Sequence, residues 1–92
     1  MRTLLTIDGS DPVIGRSVDV GADGMCVALP HPLRPGQTGT VRFDMFFDGK
    51  ATPVSAKVSV IHAIFGGGEF KVGFKFTSLE LAAAATIAKY VG

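Results

Sequence analysis

Residues Val54-Ser-Ala-Lys-Val-Ser-Val60 read VSAKVSV. Val54, Ala56, Val58 and Val60 alternate with Ser55, Lys57 and Ser59, so one face is apolar and the other wet. A period of two belongs to a half-buried β-strand, whereas a surface helix repeats its apolar positions every three or four residues. The stretch before it behaves alike: Val41, Phe43, Met45 and Phe47 alternate with polar positions that include Arg42 and Asp44. The stretch after it sets Phe70, Val72, Phe74 and Phe76 against Glu69, Lys71, Gly73 and Lys75. Consecutive alternating strands joined by short turns pair antiparallel and share one core.

The punctuation agrees with that pattern. Asp48-Gly49-Lys50 and Gly66-Gly67-Gly68 are glycine-bearing hairpin connections. His31-Pro32-Leu33-Arg34-Pro35-Gly36 is a loop, because two prolines and a glycine exclude regular pairing. Asp8-Gly9-Ser10-Asp11-Pro12 is a turn. The strands are therefore expected at about 3–8, 13–20, 25–29, 40–48, 53–64 and 69–76. Thr77-Ser78-Leu79-Glu80 matches a capping box, with Thr77 as N-cap. Leu81 to Tyr90 holds five alanines and no glycine or proline, so a helix is expected at about 78–90. The fold class is all-β with a C-terminal helix: a six-stranded antiparallel β-barrel, with residues 1–92 as a single domain.

Composition narrows the function classes. The chain is 47% hydrophobic and 18% charged, as a globular domain is. A net charge of +1 gives no broad electrostatic footprint for DNA or RNA. No segment approaches the ~20 apolar residues of a membrane-spanning helix, so no membrane insertion is expected. The start MRTLLTIDG is not patterned as a signal peptide. A single cysteine, Cys26, fits a reducing compartment, and the cytoplasm is the expected location.

Catalytic constellations are missing from the sequence. His31 and His62 are far apart and neither has a partner at metal-ligand spacing. His62 continues the inward parity of Val54–Val60, which makes it a barrel-end or core histidine. Cys26 lies among apolar neighbours and reads as a small buried hydrophobe. No Ser-His-Asp order, nucleophile elbow or HExxH occurs, and no catalytic residue, metal ligand or cofactor is assigned. Phe43, Phe47, Phe70, Phe74 and Phe76 fall on inward faces, while Phe46 and Phe65 break the alternation and are assigned outside.

Asp19-Val-Gly21-Ala-Asp-Gly24, DVGADG, admits two readings. As a turn, Gly21 and Gly24 supply positive-φ positions and Asp23-Gly24 is a good turn pair. As a cradle, the glycine amides meet phosphate oxygens and an Asp accepts hydrogen bonds from the N–H edge of a guanine.

The order of elements, the DVGADG register, the preceding GRSV, the loop PLRPGQ and the ending FKVGFKFTSLE together resemble the PilZ domain, the bacterial receptor module for cyclic di-GMP. The resemblance runs from about residue 13 to residue 90. It implies a six-stranded antiparallel barrel with a C-terminal helix, and no enzymatic activity. It also implies regulation of motility, biofilm or exopolysaccharide output. The family's Asp/Asn-x-Ser-x-x-Gly signature maps onto Asp19, Gly21 and Gly24, with glycine in place of the serine. The other signature, Arg-x-x-x-Arg, is lacking: Arg2 is followed four residues later by Thr6. Arg16 is the substitute arginine, and in a regular strand it and Asp19 point to opposite faces, so a bulge is required. Arg34 is a second candidate from its loop. The candidate ligand residues are thus Arg16, Asp19, Gly21 and Gly24. Two functions compete: a cyclic di-GMP receptor, or a degenerate domain that binds a protein partner and no nucleotide, as in type IV pilus assembly. The third is an unrelated small barrel with a structural role, or a hydrolase whose motif the sequence does not display.

Overall fold

The computed structural model describes residues 2–47 and 49–91. It holds β1 (Arg2–Ile7), β2 (Val13–Val20), β3 (Gly24–Leu29), β4 (Thr38–Phe47), β5 (Lys50–Gly66), β6 (Glu69–Leu79) and α1 (Leu81–Val91). The strands close into an antiparallel barrel in the order β1-β2-β3-β6-β5-β4. Closure leaves no strand edge unpaired, which is how a small all-β chain avoids edge-to-edge association.

The alternation read from the sequence fills the interior. Leu5, Val27, Val41, Phe43, Met45, Val54, Ala56, Val58, Val72 and Phe74 are buried, while Arg42, Asp44, Ser55, Lys57, Lys71 and Lys75 are exposed. Each such side chain contributes about 1.5–3 kcal/mol by leaving water. Phe70 and Phe76 are half-buried against this core. Phe46 and Phe65 are exposed, as their broken parity predicts. The inward assignment of the Phe47 side chain and the place of Asp48 in its turn fall outside the described residues.

Helix α1 packs against β4 and β5 and drives Ile87 into the core, where it is 1% exposed. The helix starts later than the capping box predicts. Thr77 and Ser78 belong to β6, whose pairing with β5 continues to Ala56↔Leu79. The register slips by one between Lys57↔Ser78 and Val58↔Phe76, leaving Thr77 as an extra residue on β6. The neighbouring strand thus supplies backbone partners that outcompete the local cap. Glu80 takes the N-cap position instead, its carbonyl accepting the Ala84 amide at 2.8 Å.

Two further irregularities shape the outer surface. The β2–β3 register slips between Ser17↔Val27 and Asp19↔Cys26, which leaves Val18 as an extra, exposed residue. The β5–β6 register slips between Val60↔Phe74 and His62↔Gly73, which leaves Ile61 as its counterpart. The second slip corrects the placement of His62. The residue is exposed, because the bulge resets parity after Val60 and turns its imidazole outward over Gly73.

Candidate functional site

The Val18 bulge is what an outward Arg16 and Asp19 require. With Val18 extra, Arg16 and Asp19 are both exposed while Ser17 and Val20 between and after them are buried. The two candidates therefore share the outer face, four strand positions wide. Along one row the register runs Asp19↔Cys26↔Gly73↔His62, and along the next Arg16↔Ala28↔Lys71↔Ile64. On the other side of β2, Arg2 stands directly opposite Arg16. Directly opposite residues in an antiparallel pair have Cβ atoms about 5 Å apart.

The face has a shallow floor and charged flanks. Cys26, Ala28 and Gly73 are the smallest residues in the two rows; Ala28 and Gly73 are buried, and the His62 ring covers Gly73. Arg2, Arg16, Lys71 and Lys75 contribute positive charge around it; Asp19 and Glu69 contribute negative charge. Arg16 is held by Glu69, Nη2 to Oε1 at 2.8 Å. The partner reaches it from the start of β6, beside the two-residue turn in which Gly67 and Gly68 have φ of +63° and +81°. Two consecutive positive φ values suit the primed turns of tight hairpins.

Cys26 marks the centre of the floor. It is half-buried rather than enclosed, since its side chain takes the outward row while Met25 and Val27 take the inward one. Burial pushes its thiol pKa up; Lys71 opposes that shift and Asp19 adds to it. Both flanks of the face therefore act on the same sulfur, and the thiol is the neutral form at neutral pH.

The DVGADG turn does its work without left-handed backbone. Positive φ occurs at Gly9, Gly36, Gly49, Gly67 and Gly68, and not at Gly21 or Gly24. Gly24 is required by contact instead: a Cβ there would run into the carbonyl oxygen of Phe74 on the paired β6. Gly21 donates its amide to the Gly24 carbonyl at 2.8 Å and closes the turn. That amide is thereby committed, which leaves the cradle reading of Gly21 without its donor. A Cβ at Gly21 would meet only the Gly24 carbonyl oxygen, at 3.8 Å, so the serine of the family signature fits there sterically.

Arg34 is held in its own loop, its backbone amide bonded to Gln37 Oε1 at 2.6 Å. Sequence reasoning missed Arg2, Lys71 and Glu69 as neighbours of Arg16. Their proximity depends on strand order and register, which no local motif encodes. Among the described residues no cluster of His, Cys, Asp and Glu has the geometry to hold a metal ion. No helix among them is long and apolar enough to cross a membrane.

Comparison with known proteins agrees with this geometry. The family model of the PilZ domain matches residues 2–92. Inhibitor of motility (MotI/DgrA) of Bacillus subtilis superposes with a TM-score of 0.86 at 11% identity, covering 97% of this chain and 43% of that one. A tetrameric PilZ domain protein of Xanthomonas campestris, self-assembled through a helical bundle, gives 0.65 at 18% identity, covering 91% and 46%. The PilZ domain of CeSA from a cellulose-synthesizing bacterium gives 0.64 at 21%, covering 99% and 88%. The chain thus spans less than half the length of the first two. A search of curated proteins found no match.

Proposed function

Since this chain belongs to the PilZ family, a family of cyclic di-GMP receptors, we propose that it is a regulatory module that takes cyclic di-GMP on the outer face of β2, β3 and β6. The observation that carries this reading is the Val18 bulge, which brings Arg16 to the same face as Asp19. The guanidinium of Arg16 matches a phosphate or the O6/N7 edge of guanine through its fork. The Asp19 carboxylate accepts from the N–H edge of the base. Arg2, directly across from Arg16, and Lys71, in the same row beyond Ala28, supply positive charge in place of the missing Arg-x-x-x-Arg. A ring system that lies against the sheet over Cys26 requires the exposed His62 ring to swing off Gly73. The output is control of motility, biofilm or exopolysaccharide, and the site of action is the cytoplasm, where the single Cys26 stays reduced.

Titration calorimetry tests it. The folded chain gives saturable heat with cyclic di-GMP, and Arg16→Ala lowers the affinity by roughly tenfold to a hundredfold. Absence of heat at high micromolar ligand overturns the reading.

A second reading has its own observation. Ile61, Ile64 and Phe65 on β5 are each more than half exposed, at 52%, 61% and 64%. An apolar strip of this kind suits a protein partner, so a degenerate domain working by protein contact alone is the alternative. It predicts that Ile64→Lys, which puts a charge on the apolar strip, abolishes regulation in the cell while Arg16→Ala does not.

A further inference from the structure

A pocket of about 630 Å³ lies where the first turn of α1 meets the outer faces of β1, β4 and β5, and it adjoins the Arg2–Arg16 pair at the edge of the β2–β3–β6 face. Two arginines line it, Arg2 and Arg42. Leu4 pairs with Arg42 across β1 and β4, so Arg2, two residues before Leu4, is the diagonal neighbour of Arg42 on the same face. Such neighbours have Cβ atoms about 7 Å apart. Among the described residues neither guanidinium has a hydrogen bond or ion pair, although Asp44 lines the same pocket. Asp44, across from Arg2 as the β1–β4 register extends, offsets part of this charge, while both guanidinium forks stay open to a further anion.

The rest of the pocket defines what carries that anion. Its floor is Leu4 and Ile14, paired across β1 and β2 and 37% and 54% exposed, an apolar surface suited to a flat ring. Asp44 and Glu80 stand in the same lining and accept hydrogen bonds from an amino group. Pockets of 300–1,000 Å³ with apolar walls and a few convergent polar groups are the usual form of a small-molecule site.

We infer that this pocket is a second ligand site, taking a phosphate monoester on a flat amino-bearing ring: the chemistry of a nucleoside monophosphate. The phosphate lies between Arg2 and Arg42, the ring covers Leu4 and Ile14, and its amino edge faces Asp44 and Glu80. The inference shares Arg2 with the cyclic di-GMP reading but uses neither Arg16 nor Asp19, and it survives if cyclic di-GMP does not bind.

Amide NMR on the whole chain, titrated with AMP, decides the matter. AMP shifts the amides of Leu4, Ile14 and Ala83 saturably, and adenosine, lacking the phosphate, does not. Arg42→Gln weakens AMP by roughly tenfold or more, while Lys75→Gln, outside the pocket lining, leaves it unchanged. Arg42 is exposed, so the variant is expected to keep the dispersed spectrum of the fold. Non-saturating shifts at millimolar AMP overturn the inference, as does a folded Arg42→Gln that binds equally well. Shifts centred on Cys26 and Gly73 overturn it too, because they assign AMP to the other face. Inorganic phosphate binding as tightly as AMP removes the role given to the apolar floor and overturns the ligand class.

Discussion

Strands β2 and β5 each carry one extra residue, and the two bulges have opposite consequences for what is read from the sequence. In β2 the extra Val18 lets Arg16 and Asp19 share the outer face. In β5 the extra Ile61 turns His62 out of the interior that strict alternation assigns to it. Both inserted residues are β-branched and exposed, Val18 by 45% and Ile61 by 52%. A bulge absorbs one residue without disturbing the inward set on either side of it, so the barrel core is indifferent to both. The outer face is not: which side chains share it on either side of a bulge follows from where parity is reset.

The largest effect expected from this comparison comes from deletions. Removing Val18 or Ile61 restores plain alternation and leaves every core side chain pointing inward. Removing Val58, which is fully buried in the same strand as Ile61, sends the flanking residues to the wrong faces. Chemical denaturation is expected to show cooperative unfolding for the Val18 and Ile61 deletions. The Val58 deletion is expected to lose it, a cost on the scale of the whole stability of a domain, about 5–15 kcal/mol. Equal behaviour of the three would mean that the slips are not insertions.

The next effect separates two glycines on the β3–β6 pair. A Cβ at Gly24 meets the Phe74 carbonyl oxygen, which is main chain held in the ladder and has nowhere to go. A Cβ at Gly73 meets the His62 ring, with Cε1 at 2.6 Å, but that ring is exposed and swings away. Gly24→Ala is therefore expected to cost about 3 kcal/mol and Gly73→Ala less than about 1 kcal/mol, read from urea midpoints. A Gly73→Ala as damaging as Gly24→Ala would show that His62 is fixed in place by something beyond Gly73.

How much of this was legible beforehand follows from the same contrast. Alternation over Val41–Phe47, Val54–Val60 and Phe70–Phe76 was enough for three strands and their core side chains, because burial on one face is written directly into side-chain type, while the first three strands rested on the turns around them. The need for a bulge near Asp19 was legible too, since two residues three apart cannot otherwise share a face. Its location at Val18 was not, because a valine is as natural in a regular strand as in a bulge. The same blindness hid Ile61 and so misplaced His62. Thr77 failed for a different reason: a capping box is a local signal, and the partner strand β5 offered Thr77-Ser78-Leu79 a continued ladder that local sequence does not record. The neighbours of Arg16 are set by register across β1, β3 and β6, and were out of reach for any motif.

The smallest effect on stability, and the sharpest on function, concerns Glu69. Its ion pair with Arg16 is exposed, with side chains 61% and 35% accessible, and such pairs contribute little, about 0–1 kcal/mol. Glu69→Gln should accordingly leave the unfolding midpoint almost unchanged. The same pair nevertheless occupies the Arg16 fork that a phosphate or guanine would use, so a ligand must first displace the carboxylate. With glutamine at 69 the competing charge is gone while the side chain keeps its size, and cyclic di-GMP is expected to bind several-fold more tightly, by up to roughly tenfold. The gain should shrink as salt rises, because added ions already screen the wild-type pair. β5 provides the control, since no carboxylate pairs with its outward His62 among the described residues. His62→Gln should leave the salt dependence of binding as it is in the wild type. If Glu69→Gln binds no better at low salt, Arg16 is not the residue that meets the ligand, and the face organised by the Val18 bulge loses its cation.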